Sequence, residues 1–322
     1  MIYDAIKNFN RQFEYEPEIE NGKAPFCFDK LIVAGMGGSH LAADLLRVWN
    51  PRLDVAIHHD YGLPDLPDGI LRKSLLVANC YSGNTEETID VLESALKKGI
   101  GAVAVSVGGR LLELAKKNNL PFVRMPDTGI QPRMALGYNF KALLRIMGEE
   151  RALKEVSELA GLLKPLEYET AGKELAGKLK GYVPVIYSSG RNKALAYNWK
   201  IKFNETGKIP AFCNTFPELN HNEMTGFNVK EETRSLSDKF YFIFLKDKDD
   251  FSRIVKRMKI TEQLYKNRGL SVESVALSGK NTFHKIFASL VLADWTAYCL
   301  AKNYGVEPEQ VPMVEEFKKL IA

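Results

Sequence analysis

Two glycine-containing turns, each lying between an apolar run and a helical pattern, place the strongest constraint on how this chain can fold. The first turn is Gly35-Met-Gly-Gly-Ser-His40, which follows the apolar residues 31–34. The second is Tyr81-Ser-Gly-Asn-Thr-Glu-Glu-Thr88, which follows residues 75–79. A strand that passes through such a turn into a helix is the repeating unit of a parallel sheet covered by helices. At each helix start, unpaired amide N–H groups and the positive end of the helix dipole can hold an anion.

Strand and helix patterns alternate along most of the chain. In the first half, apolar and β-branched runs predict strands at residues 31–34, 54–58, 75–79, 102–107 and 121–125. Residues 134–179 are helical in pattern, and the alternation then restarts, with strands predicted near residues 183–187, 209–213, 241–245 and 272–277. The second half therefore looks like a diverged copy of the first. We predict an α/β fold with two doubly wound, flavodoxin-like parallel-sheet domains in tandem, at residues 1–150 and 151–322.

The composition excludes several classes of function. The 322 residues are 45% hydrophobic and carry a formal net charge of +4, with basic and acidic residues interspersed, so we expect no nucleic-acid partner. No apolar stretch approaches membrane-spanning length and the N-terminus lacks a signal-like pattern, so we expect a cytoplasmic protein without a membrane partner. Four separated cysteines without Cys-x-x-Cys spacing predict reduced thiols; they are Cys27, Cys80, Cys213 and Cys299.

The side chains of the two turns indicate what kind of anion they would hold. Hydroxyls of Ser39, Ser82 and Thr85 can add donors to the amides, and neither turn contains a Lys or Arg. Neutral donors suit a sugar phosphate better than a nucleoside triphosphate, whose extra charge usually brings a Lys and a magnesium ion. A dinucleotide-binding loop is the alternative, but His40 occupies the third glycine position. Ser82 and Thr85 also fit ordinary helix caps, and both interpretations can hold together.

Two further motifs accompany the turns, Asn204-Glu205 and Glu218-Leu-Asn-His221-Asn-Glu223. Together with Gly37-Gly38-Ser39 and the turn at residues 81–88, they resemble the sugar isomerase (SIS) family, and specifically its bifunctional phosphoglucose/phosphomannose isomerase branch. The resemblance extends from residue 31 to residue 318. It implies two SIS domains, the first with the phosphate-binding turns and the second with the catalytic Glu and His. The implied activity is interconversion of glucose 6-phosphate, and of mannose 6-phosphate, with fructose 6-phosphate through an enediolate.

The resemblance also implies which residues bind the substrate. Those expected to hold the phosphate are Gly38, Ser39, Cys80, Ser82 and Thr85. Cys80 stands where the family often has a serine, which would remove one hydroxyl contact. Val311 stands before Pro312 where the family often has a threonine, so the balance between glucose and mannose phosphates stays open.

Four residues match the family's catalytic positions. Glu205 would be the base that moves the C2 proton, and His221 would handle the protons of the ring oxygen and hydroxyls. Lys318 would assist at the ring-opening end, and Arg133 would stabilise the charge of the enediolate. Each has an ordinary alternative: a solvated helix residue for Glu205 and Lys318, a surface loop for His221 and a structural salt bridge for Arg133.

The expected partners follow from the same resemblance. We expect a sugar 6-phosphate substrate and a homodimer in which His221 reaches the neighbouring subunit's site. No ligand-spaced cluster of histidines is present in the sequence, so we expect neither a metal nor a cofactor. An SIS isomerase for another sugar phosphate, or a sugar-phosphate-sensing SIS regulator without turnover, remains an alternative.

Overall fold

The computed structural model describes residues 2–23 and 28–321 and divides into two compact units. The N-terminal unit is Asn8–Leu163, and the C-terminal unit is Lys164–Ala322 with the first helix, α1 (Ile2–Lys7). We expected a division near residue 150. The units divide later because two short helices after that residue pack with the N-terminal unit, while α1 packs with the C-terminal unit, where Tyr3 contacts Trp295.

The N-terminal unit contains, in residues 8–23 and 28–163, one sheet of six strands. They are β1 (Ile19–Glu20), β2 (Lys30–Ala34), β3 (Val55–His58), β4 (Ser74–Asn79), β5 (Ala102–Ser106) and β6 (Phe122–Arg124). The order is β1-β6-β5-β4-β2-β3, with β1 antiparallel to β6 and the other pairs parallel. Every residue of β4 and β5 is buried, which is typical of strands covered on both faces.

Helices and short 3₁₀ turns connect these strands. The helices are α2 (Leu41–Trp49), α3 (Asp68–Leu71), α4 (Glu86–Lys98), α5 (Gly109–Lys117), α6 (Leu136–Met147), α7 (Glu150–Ser157) and α8 (Leu159–Leu162), and the 3₁₀ turns are Phe9–Glu14, Gly37–Ser39 and Pro132–Met134. Helix α4 buries Ile89, Leu92 and Ala95 on one face and is followed by the cap residue Gly99, whose φ of 66° suits a left-handed helix terminus.

The two glycine turns meet at one point of this sheet. Strands β2 and β4 are neighbours in register, with Ala34 opposite Ala78, and the chain leaves them in opposite directions, to β3 and to β5. Such a switch point opens a crevice at the carboxyl ends of the strands, where ligands bind in doubly wound folds. The first turn follows β2 and the second follows β4, so both border this crevice.

The C-terminal unit repeats this topology with fewer strands. Between residues 164 and 321 the strands are β7 (Val183–Ser189), β8 (Phe212–Phe216), β9 (Phe240–Asp247) and β10 (Ser271–Leu277), all parallel in the order β10-β9-β7-β8. The helices are α9 (Glu169–Leu179), α10 (Lys193–Glu205), α11 (Glu223–Gly226), α12 (Arg234–Ser237), α13 (Ser252–Lys266), α14 (Thr282–Tyr304) and α15 (Pro312–Ile321), and the 3₁₀ turns are Pro165–Tyr168, Glu218–Asn220 and Glu231–Thr233. The predicted α/β fold with parallel sheets is confirmed.

Two further expectations concern membranes and thiols. Across residues 2–23 and 28–321, the structure contains no helix with the length and apolarity needed to traverse a bilayer. Cys80, Cys213 and Cys299 are free thiols, whereas Cys27 lies outside the described residues.

Candidate functional site

The first turn lies so close to neighbouring backbone that two of its positions require glycine. A Cβ atom at Gly35 would lie 2.6 Å from the carbonyl oxygen of Asn79. A Cβ at Gly38 would lie 2.6 Å from the backbone nitrogen of Arg133. These distances are far below van der Waals contact, so any larger residue would push the turn away from β4 and from the Pro132–Met134 turn. Glycine therefore allows three segments to converge on the crevice.

The second turn is hydrogen-bonded to the first. The Ser39 hydroxyl oxygen accepts a hydrogen bond from the Tyr81 backbone N–H at 3.0 Å. Ser82 is exposed and Thr85 is half-buried at the N-cap position of α4. The hydroxyls of Ser39, Ser82 and Thr85 thus lie within two connected turns, each at the start of a helix or helical turn, where the dipole favours an anion.

Cys80 lies beneath the second turn and is only 1% exposed. Its sulfur accepts from the Gly83 backbone N–H at 3.2 Å and donates to the Thr85 hydroxyl at 3.1 Å. The Ser82 hydroxyl lies 3.5 Å from the same sulfur. The thiol therefore contacts the residues that shape the turn, and this contact is distinct from the lost phosphate contact that the sequence suggested.

A pair of buried asparagines holds the first turn in place, and the sequence analysis missed both. The amide nitrogens of Asn79 and Asn139 each donate to the other's side-chain oxygen, at 2.8 and 3.1 Å. Both also donate to the Ser39 carbonyl, at 2.8 and 3.2 Å. The sequence feature that could have revealed this pair is the asparagine at the end of the apolar strand β4, because a buried side-chain amide needs hydrogen-bond partners.

Arg133 is a buried residue next to the first turn. Its side chain is 1% exposed, and its backbone lies against Gly38 in the first turn. A guanidinium cannot lose its proton in a protein, so this buried group remains a cation at any working pH. The structure thus places the backbone of Arg133 beside Gly38, one of the five residues expected to bind the phosphate.

Two histidines support the start of the first turn. The rings of His40 and His59 are 4.2 Å apart, and His59 Nδ1 lies 3.2 Å from the Gly35 carbonyl oxygen. His40 Nδ1 lies 2.8 Å from the Asp44 carboxylate. Burial lowers the pKa of His59, and the neighbouring His40 lowers it further, so His59 favours the neutral form that donates from Nδ1.

Glu205 is the last residue of α10, and several contacts hold this helix end. Lys202 Nζ lies 2.6 Å from Asp294 Oδ1, and both side chains are buried, which joins α10 to α14. The Asn204 side chain donates to the Ile209 carbonyl at 3.0 Å. Lys208 Nζ donates to the Glu205 carbonyl at 2.7 Å. The half-buried Glu205 side chain therefore extends from a well-fixed position.

His221 and Lys318 lie on two other elements of the C-terminal unit. His221 is exposed and follows the Glu218–Asn220 turn, where its backbone N–H donates to the Glu218 carbonyl at 2.9 Å. Lys318 lies on α15, 2.8 Å from Glu315 on the same helix, and is 61% exposed. Arg133 belongs to the N-terminal unit, so the four expected catalytic residues are distributed over both units.

The described residues contain no group of three or more His, Cys, Asp or Glu side chains arranged to hold a metal ion. The site residues expected from the sequence were predicted to bind phosphate or to act in catalysis, and none was predicted to bind a metal.

Comparison with known proteins places the chain in a family. A family described as the bacterial phospho-glucose isomerase C-terminal SIS domain matches residues 169–321. The bifunctional phosphoglucose/phosphomannose isomerase of Caldicellulosiruptor bescii is 32% identical, and the match covers 100% of this chain and 98% of the relative. The enzyme of the same name from Thermoplasma acidophilum is also 32% identical, over 99% of this chain and 97% of the relative.

Solved structures share the fold at lower identity. A hypothetical protein from Thermus thermophilus has a TM-score of 0.69 at 17% identity, covering 99% of this chain and 87% of that one. The C-terminal domain of glucosamine-fructose-6-phosphate aminotransferase from Francisella tularensis has a TM-score of 0.66 at 14% identity, covering 96% of each chain. The full-length relatives confirm the resemblance predicted from the sequence, and the chain belongs to the family of bifunctional phosphoglucose/phosphomannose isomerases.

Proposed function

We propose that this protein interconverts glucose 6-phosphate and mannose 6-phosphate with fructose 6-phosphate. The observation that carries the proposal is the crevice between β2 and β4, where two connected turns present hydroxyl and amide donors beside the buried Arg133. The curated relatives that match the full chain are named bifunctional phosphoglucose/phosphomannose isomerases, which supports this substrate class. The proposed location is the cytoplasm.

Phosphate binding is proposed for Gly38, Ser39, Cys80, Ser82 and Thr85. Backbone amides and the three hydroxyls would donate to the phosphate oxygens, and each hydrogen bond to a charged oxygen contributes roughly 1.5–3 kcal/mol. Cys80 would act through the shape of the turn, because its sulfur contacts Gly83, Ser82 and Thr85. Unphosphorylated glucose should therefore be a very poor substrate.

Proton transfer is proposed for residues of the C-terminal unit. After ring opening, the Glu205 carboxylate would take the proton from C2 and return it to C1, leaving an enediolate in between. His221 would transfer protons at the ring oxygen and hydroxyls, and Lys318 would assist ring opening. Arg133 would lower the barrier by stabilising the negative charge of the enediolate. No metal or cofactor takes part in the proposed steps.

The reaction is tested by assaying fructose 6-phosphate formation from glucose 6-phosphate and from mannose 6-phosphate, with and without a chelator. In deuterated water, solvent deuterium should appear at C1 of the fructose 6-phosphate product, since a carboxylate base that takes the proton from C2 exchanges it with solvent before returning it to C1. Tight sugar-phosphate binding without turnover or exchange would instead identify a sugar-phosphate-sensing regulator.

The role of Glu205 is tested by Glu205→Gln. The amide keeps the size of the side chain but cannot take a proton, so kcat should fall about 10²- to 10⁴-fold with little change in KM. Glu174→Gln is the matched control, because Glu174 is an exposed glutamate of α9, and it should keep wild-type kcat. Near-normal turnover by Glu205→Gln would show that another group is the base.

We further propose a homodimer in which His221 completes the site of the neighbouring subunit. The exposure of His221 beyond its own turn supports this arrangement. Mixing Glu205→Gln with His221→Ala under subunit exchange should recover about a quarter of wild-type activity, because half of the dimers are mixed and each has one working site of two. Mixed dimers that stay inactive would show that His221 acts within its own subunit.

A further inference from the structure

The segment that carries His221 is held on both sides. Before it, the Asn220 side chain donates to the Thr261 hydroxyl at 2.9 Å and accepts from Arg257 at 3.3 Å, and both partners lie on α13. After it, the Glu223 carboxylate is bound by side chains of the sheet. His221 therefore projects from a short exposed stretch between two anchors.

Glu223 uses both of its carboxylate oxygens in the second anchor. Oε1 accepts from the Tyr187 hydroxyl, and Oε2 accepts from the Asn214 side-chain nitrogen. Tyr187 on β7 lies opposite Asn214 on β8 in the parallel register, so the two donors are side by side on the same face of the sheet. The Asn214 side-chain oxygen accepts from the Thr215 backbone N–H at 2.8 Å, which turns the amide nitrogen toward Glu223.

The Tyr187 hydroxyl is a donor with a fixed direction. Its side chain is fully buried, and its ring packs in an aromatic cluster with Phe216, Phe242, Phe244 and Tyr265. Burial raises the pKa of Tyr187, and Tyr265 and Glu223 raise it further, so the phenol keeps its proton. A neutral donor that faces a carboxylate forms a charge-assisted hydrogen bond, which is stronger than a neutral pair.

We infer that Tyr187, Asn214 and Glu223 form a positioning triad that holds His221 in its working orientation. The inference deepens the proposed function and rests on it, because it assumes that His221 transfers protons during isomerisation. A segment fixed from the sheet does not need to be ordered again in each turnover, and proton transfer is sensitive to displacements of about 1 Å. The place of Glu223 in a polar segment suggests a solvated charge, but both of its carboxylate oxygens are hydrogen-bonded to side chains of the sheet.

The first test removes a single oxygen atom. Tyr187→Phe keeps the ring in the aromatic cluster but leaves Glu223 with one donor fewer. We expect kcat to fall about ten- to a hundredfold, with KM for fructose 6-phosphate nearly unchanged, because the N-terminal turns are proposed to bind the phosphate. Tyr265→Phe is the matched control, since its hydroxyl belongs to the same cluster and lies 3.4 Å from that of Tyr187. Equal losses of kcat in the two variants would assign the effect to cluster packing and overturn the inference.

The second test is a rescue. Glu223→Gln offers one acceptor oxygen where the carboxylate offered two, so in either amide orientation one of the two donors, Tyr187 or Asn214, loses its acceptor and kcat should fall as in Tyr187→Phe. Adding Asn214→Asp supplies an acceptor for the introduced amide, while its other oxygen can still accept from Thr215. The double variant should recover kcat to within about threefold of wild type. Loss of kcat without recovery would overturn the triad.

Hydrogen exchange of residues 217–226 gives a readout without substrate. Exchange should accelerate in Glu223→Gln and slow again in the double variant, because the anchor is lost and then restored. His221→Ala distinguishes a failure of the proposed role of His221 from a failure of the proposed triad. If it keeps normal kcat, the proposed role of His221 fails; if it lowers kcat while Tyr187→Phe and Glu223→Gln keep normal kcat, only the positioning triad fails.

Discussion

The two units have the same order of strands around their switch points, but different side chains line the crevice at the strand ends. In the N-terminal unit, the turns after β2 and β4 present hydroxyls and amides. In the C-terminal unit, side chains at and just after the ends of β7 and β9 bond to one another and to a lysine of α14, and we call this region the C-terminal crevice. Its members are Ser189, Asn192, Asp247, Asp250 and Lys285, all buried.

Carboxylates dominate the C-terminal crevice. Asp247 lies 2.8 Å from Lys285 Nζ and accepts from the Asn192 side chain at 3.2 Å, and Asp250 accepts from the Ser189 hydroxyl at 2.7 Å. Burial raises the pKa of Asp250, although the hydrogen bond from Ser189 opposes the rise. A phosphate would be repelled by these carboxylates, and the lysine already has a partner. Doubly wound topology therefore supplies a crevice in both units, and side chains decide whether it can bind an anion.

The largest effect that this comparison predicts is on stability. Lys285→Met leaves Asp247 buried without its cation and should lower the free energy of unfolding by about 3–5 kcal/mol at pH 7, measured in urea. KM for fructose 6-phosphate should stay unchanged. Lys266→Met is the control, because the Lys266 side chain is 50% exposed and its partner Glu262 keeps a second cation, Lys246, so it should cost less than about 1 kcal/mol. A raised KM with normal stability would make the C-terminal crevice a ligand site and break the comparison.

The same variant has a predictable pH dependence. Burial alone would raise the pKa of Asp247, but hydrogen bonds from Lys285, the Asp249 N–H and Asn192 hold it below its usual value. A carboxylate with a lowered folded pKa contributes stability above its unfolded pKa, near 3.9, and loses it as the pH falls through the folded value. Because the two unfolded chains titrate alike, the difference in unfolding free energy between wild type and Lys285→Met should narrow as the pH falls through the folded pKa of Asp247 in the variant toward its lower value in the wild type. A constant difference would mean that Asp247 is not the group left unpaired.

A smaller effect is expected from placing a carboxylate in the N-terminal crevice. Ser82→Asp would add a negative charge beside the proposed phosphate, and KM for fructose 6-phosphate should rise about 30-fold, equivalent to about 2 kcal/mol. Ser82→Asn has the same shape without the charge, so it isolates the electrostatic part. The ratio of the two KM values should shrink in high salt, because Ser82 is exposed. Equal KM values for the two variants would indicate that the turn holds an uncharged group.

The parts of the fold that sequence predicted are those set by local pattern. The strand predicted at residues 75–79 is Ser74–Asn79, and the helical pattern after the second turn is the helix Glu86–Lys98, since an apolar run and a terminal glycine mark their limits. The strand predicted at residues 209–213 lies at Phe212–Phe216 instead. There Lys208 has a φ of 58° and the Asn204 side chain binds the Ile209 carbonyl, which extends the turn.

The candidate site shows the same division between local and distant information. Residues within a turn, such as Ser82 and Thr85, were predicted from neighbours in sequence. The pairing of Asn79 with Asn139 was missed because the partners are 60 residues apart and meet when α6 packs against the sheet. The contacts of Glu223 with Tyr187 and Asn214 depend in the same way on strand register, which composition and periodicity do not reveal.

The smallest predicted effect concerns Cys80, where this chain departs from the serine common in its family. In Cys80→Ser the hydroxyl can still accept from the Gly83 N–H and contact Thr85, so KM for fructose 6-phosphate should change less than about threefold. Cys80→Ala removes the sulfur that bonds the Gly83 N–H and the Thr85 hydroxyl, and the Gly83 N–H keeps only its bond to the Cys80 carbonyl at 3.2 Å. The loss should cost about 1 kcal/mol, so KM should rise about fivefold as the turn loosens. Steady-state assays with both variants, supported by inhibition with inorganic phosphate, measure the difference. An effect of Cys80→Ser as large as that of Ser82→Asp would mean that the sulfur contacts the substrate directly, and the N-terminal crevice would then depend on more than hydroxyls, amides and Arg133.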